Sequence, residues 1–179
     1  MNKALFLDRD GIINEDVSYL HKVEDVRFVD GLFELCKLFQ DKGFLLICCT
    51  NQSGVARGYY PKEDTEIVHD YMIKEFARRG LTLSKIYTCY HGPEDNCDCR
   101  KPKPGMFLSA IKEFNLDPKL CYSIGDKRSD VEASTKANVG HIYLVKSRYN
   151  NYEGDYASVR DFYNDIREKL KWSRKHLVI

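Results

Sequence analysis

Charge of one sign is what this chain lacks most clearly: 28 Lys plus Arg stand against 27 Asp plus Glu, a formal net charge of +1. Such a balance excludes the basic field on which nucleic-acid binding rests, so anions must be held by local clusters. Long apolar runs are missing too. Met1, Asn2 and Lys3 lead into Ala4–Leu7, which ends at Asp8 and is too short for a signal peptide or a membrane span. A cytoplasmic protein with no membrane or nucleic-acid partner is therefore expected. Low-complexity tracts and internal repeats are also absent, which excludes disordered and solenoid chains. What is present is 43% hydrophobic and 31% charged residues with 12 Tyr and 9 Phe, in 179 residues. That length suits one domain with a full core and is short for two without a visible linker. A single domain over residues 1–172 is expected, acting as a monomer, with a tail of mixed charge at residues 173–179.

Apolar segments of strand length recur at Ala4–Leu7, Phe44–Cys49, Lys85–Tyr90, Cys121–Ile124 and His141–Val145. None alternates cleanly with polar residues, the pattern of parallel strands buried on both faces. Helical spacing lies between them. Leu32, Leu35, Leu38 and Phe39 form a stripe that stops at Gly43. A second helix is predicted from Pro61 to Gly80, with Ile67, Tyr71, Ile73 and Phe76 inward. A third runs from Pro104 to Phe114, with Met106, Phe107, Ala110 and Ile111 inward. A fourth covers Asp130–Ala137, and a last carries Val159, Phe162, Tyr163, Ile166 and Leu170. Strands alternating with helices predict an α/β fold, a doubly wound, mainly parallel sheet with ligands at the carboxyl ends of its strands.

The polar residues fall at those ends. The first strand runs into Asp8, Arg9, Asp10 and Gly11, two carboxylates one residue apart with a glycine beside them. Period-two geometry turns both to one side, a place for a phosphate and a divalent cation. The second strand delivers Thr50, Asn51, Gln52, Ser53 and Gly54. A third cluster is Arg100, Lys101 and Pro102, and the fourth strand ends in Gly125, Asp126 and Lys127, with Asp130 one turn on. Singly, each of these could be a turn, a solvated charge or a helix cap.

Seven cysteines in a reducing compartment speak against a disulfide framework. Cys36, Cys48, Cys49 and Cys121 sit in apolar runs and read as core. Cys89, His91, Cys97 and Cys99 instead supply three thiolates and an imidazole within one short loop, residues 89–99, the composition of a closed structural zinc site. Gly92 and Pro93 would start the loop's reversal. His21, His69, His141 and His176 find no partner in the sequence and read as surface or satisfied core residues.

From Lys3 to about Val145 the Asp8-x-Asp10-Gly11, Thr50-Asn51, Lys101 and Gly125-Asp126 series resembles the haloacid dehalogenase superfamily of phosphatases. The resemblance implies a Rossmann-like sheet, with Asp8 as nucleophile, Asp10 as acid/base, and Thr50 and Lys101 gripping the phosphoryl group. Mg²⁺ would bind Asp8, Asp126 and the main-chain carbonyl of Asp10. Asp10 must hold a proton for the leaving group, so its pKa is expected above that of Asp8. Where the superfamily usually carries threonine or valine after the glycine, this chain has Ile12. The segments 12–44 and 54–85 are too short for a large cap domain. The zinc-type loop followed by Arg100-Lys101-Pro102-x-Pro104-Gly105-Met106 further resembles the branch of heptose bisphosphate and histidinol phosphatases, and the opening motif with TNQSGVARG (Thr50–Gly58) resembles its heptose members. That implies a small phosphorylated sugar substrate contacted by Asp16, Val17, Ser18, Tyr19, Thr50, Asn51, Gln52, Ser53, Arg100, Lys101 and Lys127. It also implies a role in heptose supply for surface polysaccharide. Histidinol phosphate or another small phosphomonoester is the alternative substrate, and a silent zinc-braced binding module the alternative of a different kind.

Overall fold

The computed structural model describes residues 1–172, so the predicted tail and His176 lie outside the described residues. Five strands, β1 (Ala4–Leu7), β2 (Leu45–Asn51), β3 (Leu83–Cys89), β4 (Tyr122–Gly125) and β5 (His141–Leu144), form one parallel sheet in the order β3-β2-β1-β4-β5. Among the described residues the five α-helices are α1 (Leu32–Asp41), α2 (Lys62–Arg78), α3 (Gly105–Glu113), α4 (Arg128–Lys136) and α5 (Val159–Trp172).

Both faces of the sheet are covered, which is why no strand alternates in polarity. Leu5 and Leu7 of β1 join Leu46 and Cys48 of β2 in a core under α1, α2 and α5. Ala4, Phe6, Ile47 and Cys49 point the other way, into a core closed by α3 and α4. Residues of one strand thus feed two cores at period two, each buried aliphatic side chain contributing on the order of 1.5–3 kcal/mol. Cys36, Cys48, Cys49 and Cys121 are buried in these cores, as expected from their surroundings.

One helix face differs from expectation. In α2 the inward stripe is Val68, Met72 and Phe76 with Thr65 and His69, while Ile67 and Ile73 are 58% and 38% exposed. Two β-branched apolar residues on the outer face drew the predicted stripe round by about one position.

From β1 the chain builds outward through β2 to β3, then returns to lay β4 and β5 on the other side. The order reverses between β1 and β4, and a crevice opens at their carboxyl ends. Residues 8–31, with one short 3-10 turn at Val23–Asp25, and residues 52–61 join strand to helix with no inserted domain, so among the described residues no large cap covers that crevice. Nor, among the described residues, is any helix long and apolar enough to cross a membrane.

Candidate active site

A cavity of about 590 Å³ lies over the strand tips, lined by residues from five separate segments. Its floor is set by Asp8, directly after β1. The Asp8 main chain still donates to Ile124 of β4 at 3.1 Å, so the carboxylate is held by the sheet itself. Lys101 reaches it from the loop before α3: its ammonium donates to Asp8 Oδ1 at 2.9 Å and to the Cys49 carbonyl at 2.7 Å, and lies 2.6 Å from Asp130 Oδ1. Asn51 fixes the Lys101 backbone from both sides, donating to its carbonyl at 3.0 Å and accepting from its N–H at 3.1 Å.

Three carboxylates, Asp8, Asp126 and Asp130, have oxygens within 4.8 Å of one another. Two glycines permit this. A Cβ on Gly125 would stand 2.4 Å from the Asp130 side chain, and one on Gly11, where φ is +88°, would stand 2.6 Å from Asp126 Oδ2. Against three carboxylates this floor sets the Lys101 ammonium, with Lys127 at the wall. Burial, then the Asp130 charge, pushes Asp8 up to about 6, with Lys101 and Lys127 pulling the other way. Burial and the Asp8 charge push Asp126 up to about 8. Burial opposes the charge on Lys101, yet Asp130 and Asp8 outweigh it and hold that ammonium firmly protonated. Asp126 Oδ1 is buried with no hydrogen-bond partner. An unpartnered, hard oxygen among clustered like charges is what a small divalent cation satisfies, so the donor set fits one.

Asp10 sits differently from expectation. Its carboxylate is no member of the acidic group but accepts from Arg9 Nη2 at 2.9 Å, Asn14 Nδ2 at 2.9 Å and Gln52 Nε2 at 2.9 Å. Burial is outweighed by the Arg9 guanidinium and these donors, so its pKa falls below the usual carboxylate value. The expected order of the two aspartates is thus reversed in the free site. The guanidinium of the fully buried Arg9 is steadied in turn by His69, whose Nε2 lies 3.2 Å from Arg9 Nη1. Burial, and then Arg9, presses His69 down to about 3, so it is the neutral ring that accepts.

Of the residues expected on the substrate, Asp16, Ser18, Tyr19, Asn51, Gln52, Ser53, Arg100, Lys101 and Lys127 line the cavity together with Asp8 and Asp10. Val17 and Thr50 are not among the lining residues: Val17 is 49% exposed, and the buried Thr50 hydroxyl accepts from Gln52 Nε2 at 2.8 Å. The lining also includes Arg57, Ser129, Asp130 and Tyr149. Asp130 could have been added from its spacing, four residues after Asp126 and so one helical turn away. Tyr149 carries no local signal.

Beside the cavity, Cys89, His91, Cys97 and Cys99 converge. Their sulfur atoms are 3.1–3.6 Å apart, and His91 Nδ1 lies 3.3 Å from Cys99 and 3.6 Å from Cys89. Three sulfurs and an imidazole nitrogen in one compact cluster come close to the edges of a tetrahedron around a zinc ion, about 3.8 Å between sulfurs for a 2.3 Å Zn–S bond. Gly92 donates to Asp95 Oδ2 at 2.7 Å, closing the reversal, and Gln52 N donates to Cys89 O at 2.7 Å, tying the cluster to the tip of β2.

A buried carboxylate flanked by an ammonium and by a cluster of acidic oxygens, open to a polar cavity, defines a metal-dependent phosphohydrolase. A family model described as HAD-hydrolase-like matches residues 98–176. A D-glycero-alpha-D-manno-heptose-1,7-bisphosphate 7-phosphatase of Campylobacter jejuni is 47% identical over 93% of this chain and 97% of its own length. The D-glycero-beta-D-manno-heptose-1,7-bisphosphate 7-phosphatase of Helicobacter pylori is 48% identical over 80% of this chain and 84% of its own. Among solved structures, the D,D-heptose 1,7-bisphosphate phosphatase of B. bronchiseptica, complexed with magnesium and phosphate, superposes with a TM-score of 0.81 at 26% identity, over 94% of this chain and 99% of that one. The chain belongs to the haloacid dehalogenase superfamily of phosphatases and, within it, to the family of the heptose-1,7-bisphosphate 7-phosphatases.

Proposed function

We propose that this phosphatase removes the 7-phosphate of D-glycero-D-manno-heptose 1,7-bisphosphate through an aspartyl phosphate on Asp8. The observation that carries the chemistry is the Asp8 carboxylate, fixed at the tip of β1, bonded to Lys101 and facing the open cavity. The substrate is supported by the curated relatives, similar over almost the whole chain.

An Asp8 oxygen attacks phosphorus, the bond from phosphorus to the sugar oxygen breaks, and Asp10 gives its proton to the departing alkoxide. Water, losing a proton to Asp10, then attacks the same phosphorus, and Asp8 leaves as the free carboxylate. Asp10, ionised in the free site, suits the second step. For the first, the arriving phosphate dianion is a like charge that raises its affinity for a proton. Lys101 neutralises charge developing on the equatorial oxygens, a contribution on the order of 3–4 kcal/mol for one well-placed donor. The Thr50 hydroxyl supports Gln52, and through it Asp10. Arg100 lines the cavity beside Lys101 and offers a fork for the second phosphate.

Asp8, Asp126 and the main-chain carbonyl of Asp10 would hold Mg²⁺, with Asp130 alongside. When bound, that ion cancels repulsion between Asp8 and the phosphate dianion. Cys89, His91, Cys97 and Cys99 would hold a structural Zn²⁺, which aims Arg100 and Lys101. A single domain over residues 1–172, acting as a cytoplasmic monomer in heptose supply for surface polysaccharide, completes the proposal.

Steady-state kinetics on both anomers of the heptose bisphosphate, histidinol phosphate and p-nitrophenyl phosphate test it. The heptose bisphosphates should have the highest kcat/KM, and Asp8→Asn should lower phosphate release by ~10³-fold or more. Preference for histidinol phosphate would overturn the substrate, and an active Asp8→Asn the mechanism.

A further inference from the structure

Residues 146–157 show little pattern in the sequence, yet they build one wall of the cavity. Ser147 Oγ and Asn150 Nδ2 both donate to the Asp126 carbonyl, at 2.6 and 2.9 Å. Asn150, buried, also donates to the Val145 carbonyl at 2.8 Å and accepts from Ser147 N at 2.9 Å. This turn is therefore rigidly attached to the end of β4, and it presents Tyr149 to two other segments that line the cavity. The Tyr149 ring lies under the Lys127 ammonium, 4.2 Å from nitrogen to ring centre. Among the described residues that ammonium has no hydrogen-bond partner of its own. The Tyr149 hydroxyl donates to Asp16 Oδ2 at 2.5 Å and accepts from Arg148 Nη2 at 2.7 Å, while the same Arg148 nitrogen reaches Ser18 Oγ at 3.0 Å.

We propose that Tyr149 is a positioning residue with two separable functions: its ring holds Lys127 over the phosphate subsite, and its hydroxyl holds the 16–19 loop for the sugar. The second function rests on the heptose reading given above; the first does not. A ring beneath an ammonium restricts the side chain's freedom without neutralising it, so the full charge remains for an incoming dianion. A tyrosine donor on Asp16 fixes that carboxylate while leaving it lone pairs to accept a sugar hydroxyl.

The test uses the full chain with its metals, the product inorganic phosphate as probe, and two substrates, the heptose bisphosphate and p-nitrophenyl phosphate. Tyr149→Leu removes ring and hydroxyl, and should raise the inhibition constant of phosphate by roughly 2- to 30-fold, the range of one cation–π contact. Tyr149→Phe keeps the ring. It should leave that constant near wild type but raise KM for the heptose bisphosphate more than for p-nitrophenyl phosphate, with kcat little changed. In a Lys127→Ala background Tyr149→Leu should add little to the loss of phosphate affinity.

An unchanged phosphate constant in Tyr149→Leu, or a full additive effect on top of Lys127→Ala, overturns the Lys127 function. Equal KM shifts on both substrates in Tyr149→Phe overturn the loop function. Should the wild type fail to turn over heptose bisphosphate, the substrate reading and the loop function both fall, while the phosphate measurements still decide the other half. Tyr149→Phe guards against trivial misfolding in Tyr149→Leu, because restoring the ring alone must restore phosphate affinity.

Discussion

Asp126→Asn should stabilise the magnesium-free protein while abolishing its turnover. The reason is the raised affinity of Asp126 for its proton, shifted from 3.8 to about 8 by burial and by the Asp8 and Asp130 charges. Between those values the folded state holds a proton that the unfolded state has released, so folding stability falls as pH rises from about 4 to about 8 and is level beyond. At pH 8 the loss amounts to about 5 kcal/mol, from about 1.4 kcal/mol for each pH unit. Asparagine keeps the shape and carries no charge, but its amide could lack a partner where Asp126 Oδ1 lacks one now. That omission costs about 1–3 kcal/mol, leaving a net gain of about 2–4 kcal/mol, or roughly 5–15 °C in Tm for a chain of this size. The assay is thermal and urea unfolding at pH 5 and pH 8 after dialysis against magnesium-free buffer without chelator. Added Mg²⁺ should raise the Tm of wild type and leave that of the variant unmoved. A variant that melts lower than wild type at pH 8 without magnesium would refute the idea that these carboxylates repel one another.

Further expectations concern the groups around this floor. His69, pressed from 6.5 to about 3, stays neutral in the folded protein while the unfolded chain takes up a proton. Stability should therefore be complete above pH 6.5 and fall as pH drops, by about 3 kcal/mol at pH 4. His69→Gln, which can still accept from Arg9, should flatten the acid limb of a urea-unfolding series, and an identical limb in both proteins would contradict the assignment. Metal analysis should find one zinc per chain, lost in Cys99→Ser together with kcat/KM by on the order of 10²-fold, as Lys101 loses its aim. Sub-stoichiometric zinc in the wild type, or unchanged kinetics once it is lost, would remove the loop's positioning role.

The strand tips were legible in the sequence because a parallel strand buried on both faces is a short apolar run that must end where the sheet meets solvent. Asp8, Asn51 and Asp126 stand at or beside such ends, Lys101 comes from the loop between β3 and α3, and the cysteine spacing is likewise a local signal. What the sequence hid depends on distance or on competing neighbours. Tyr149 touches Asp16 across more than a hundred residues of chain, and no local pattern announces such a contact. The inward face of α2 was misread because Ile67 and Ile73 look like core, whereas the buried positions include Thr65 and His69, and the polarity of His69 makes sense only beside Arg9. The order of the Asp8 and Asp10 pKa values failed for a related reason. Local sequence puts two aspartates side by side, and only the fold reveals that Arg9, Asn14 and Gln52 all turn to Asp10 while Asp130 turns to Asp8.

The missing cap has a consequence for how water is managed during turnover. Phosphatases roofed by a mobile domain can shut solvent out by closing it, and can then wait on its reopening. Here the tips of β1, β2 and β4 lie under an open mouth, so the unreacting end of the ester must itself serve as the stopper. Small esters that fill the mouth poorly should leave the chemistry wet and slow, and departure of the dephosphorylated sugar need not await any swinging of one body against another.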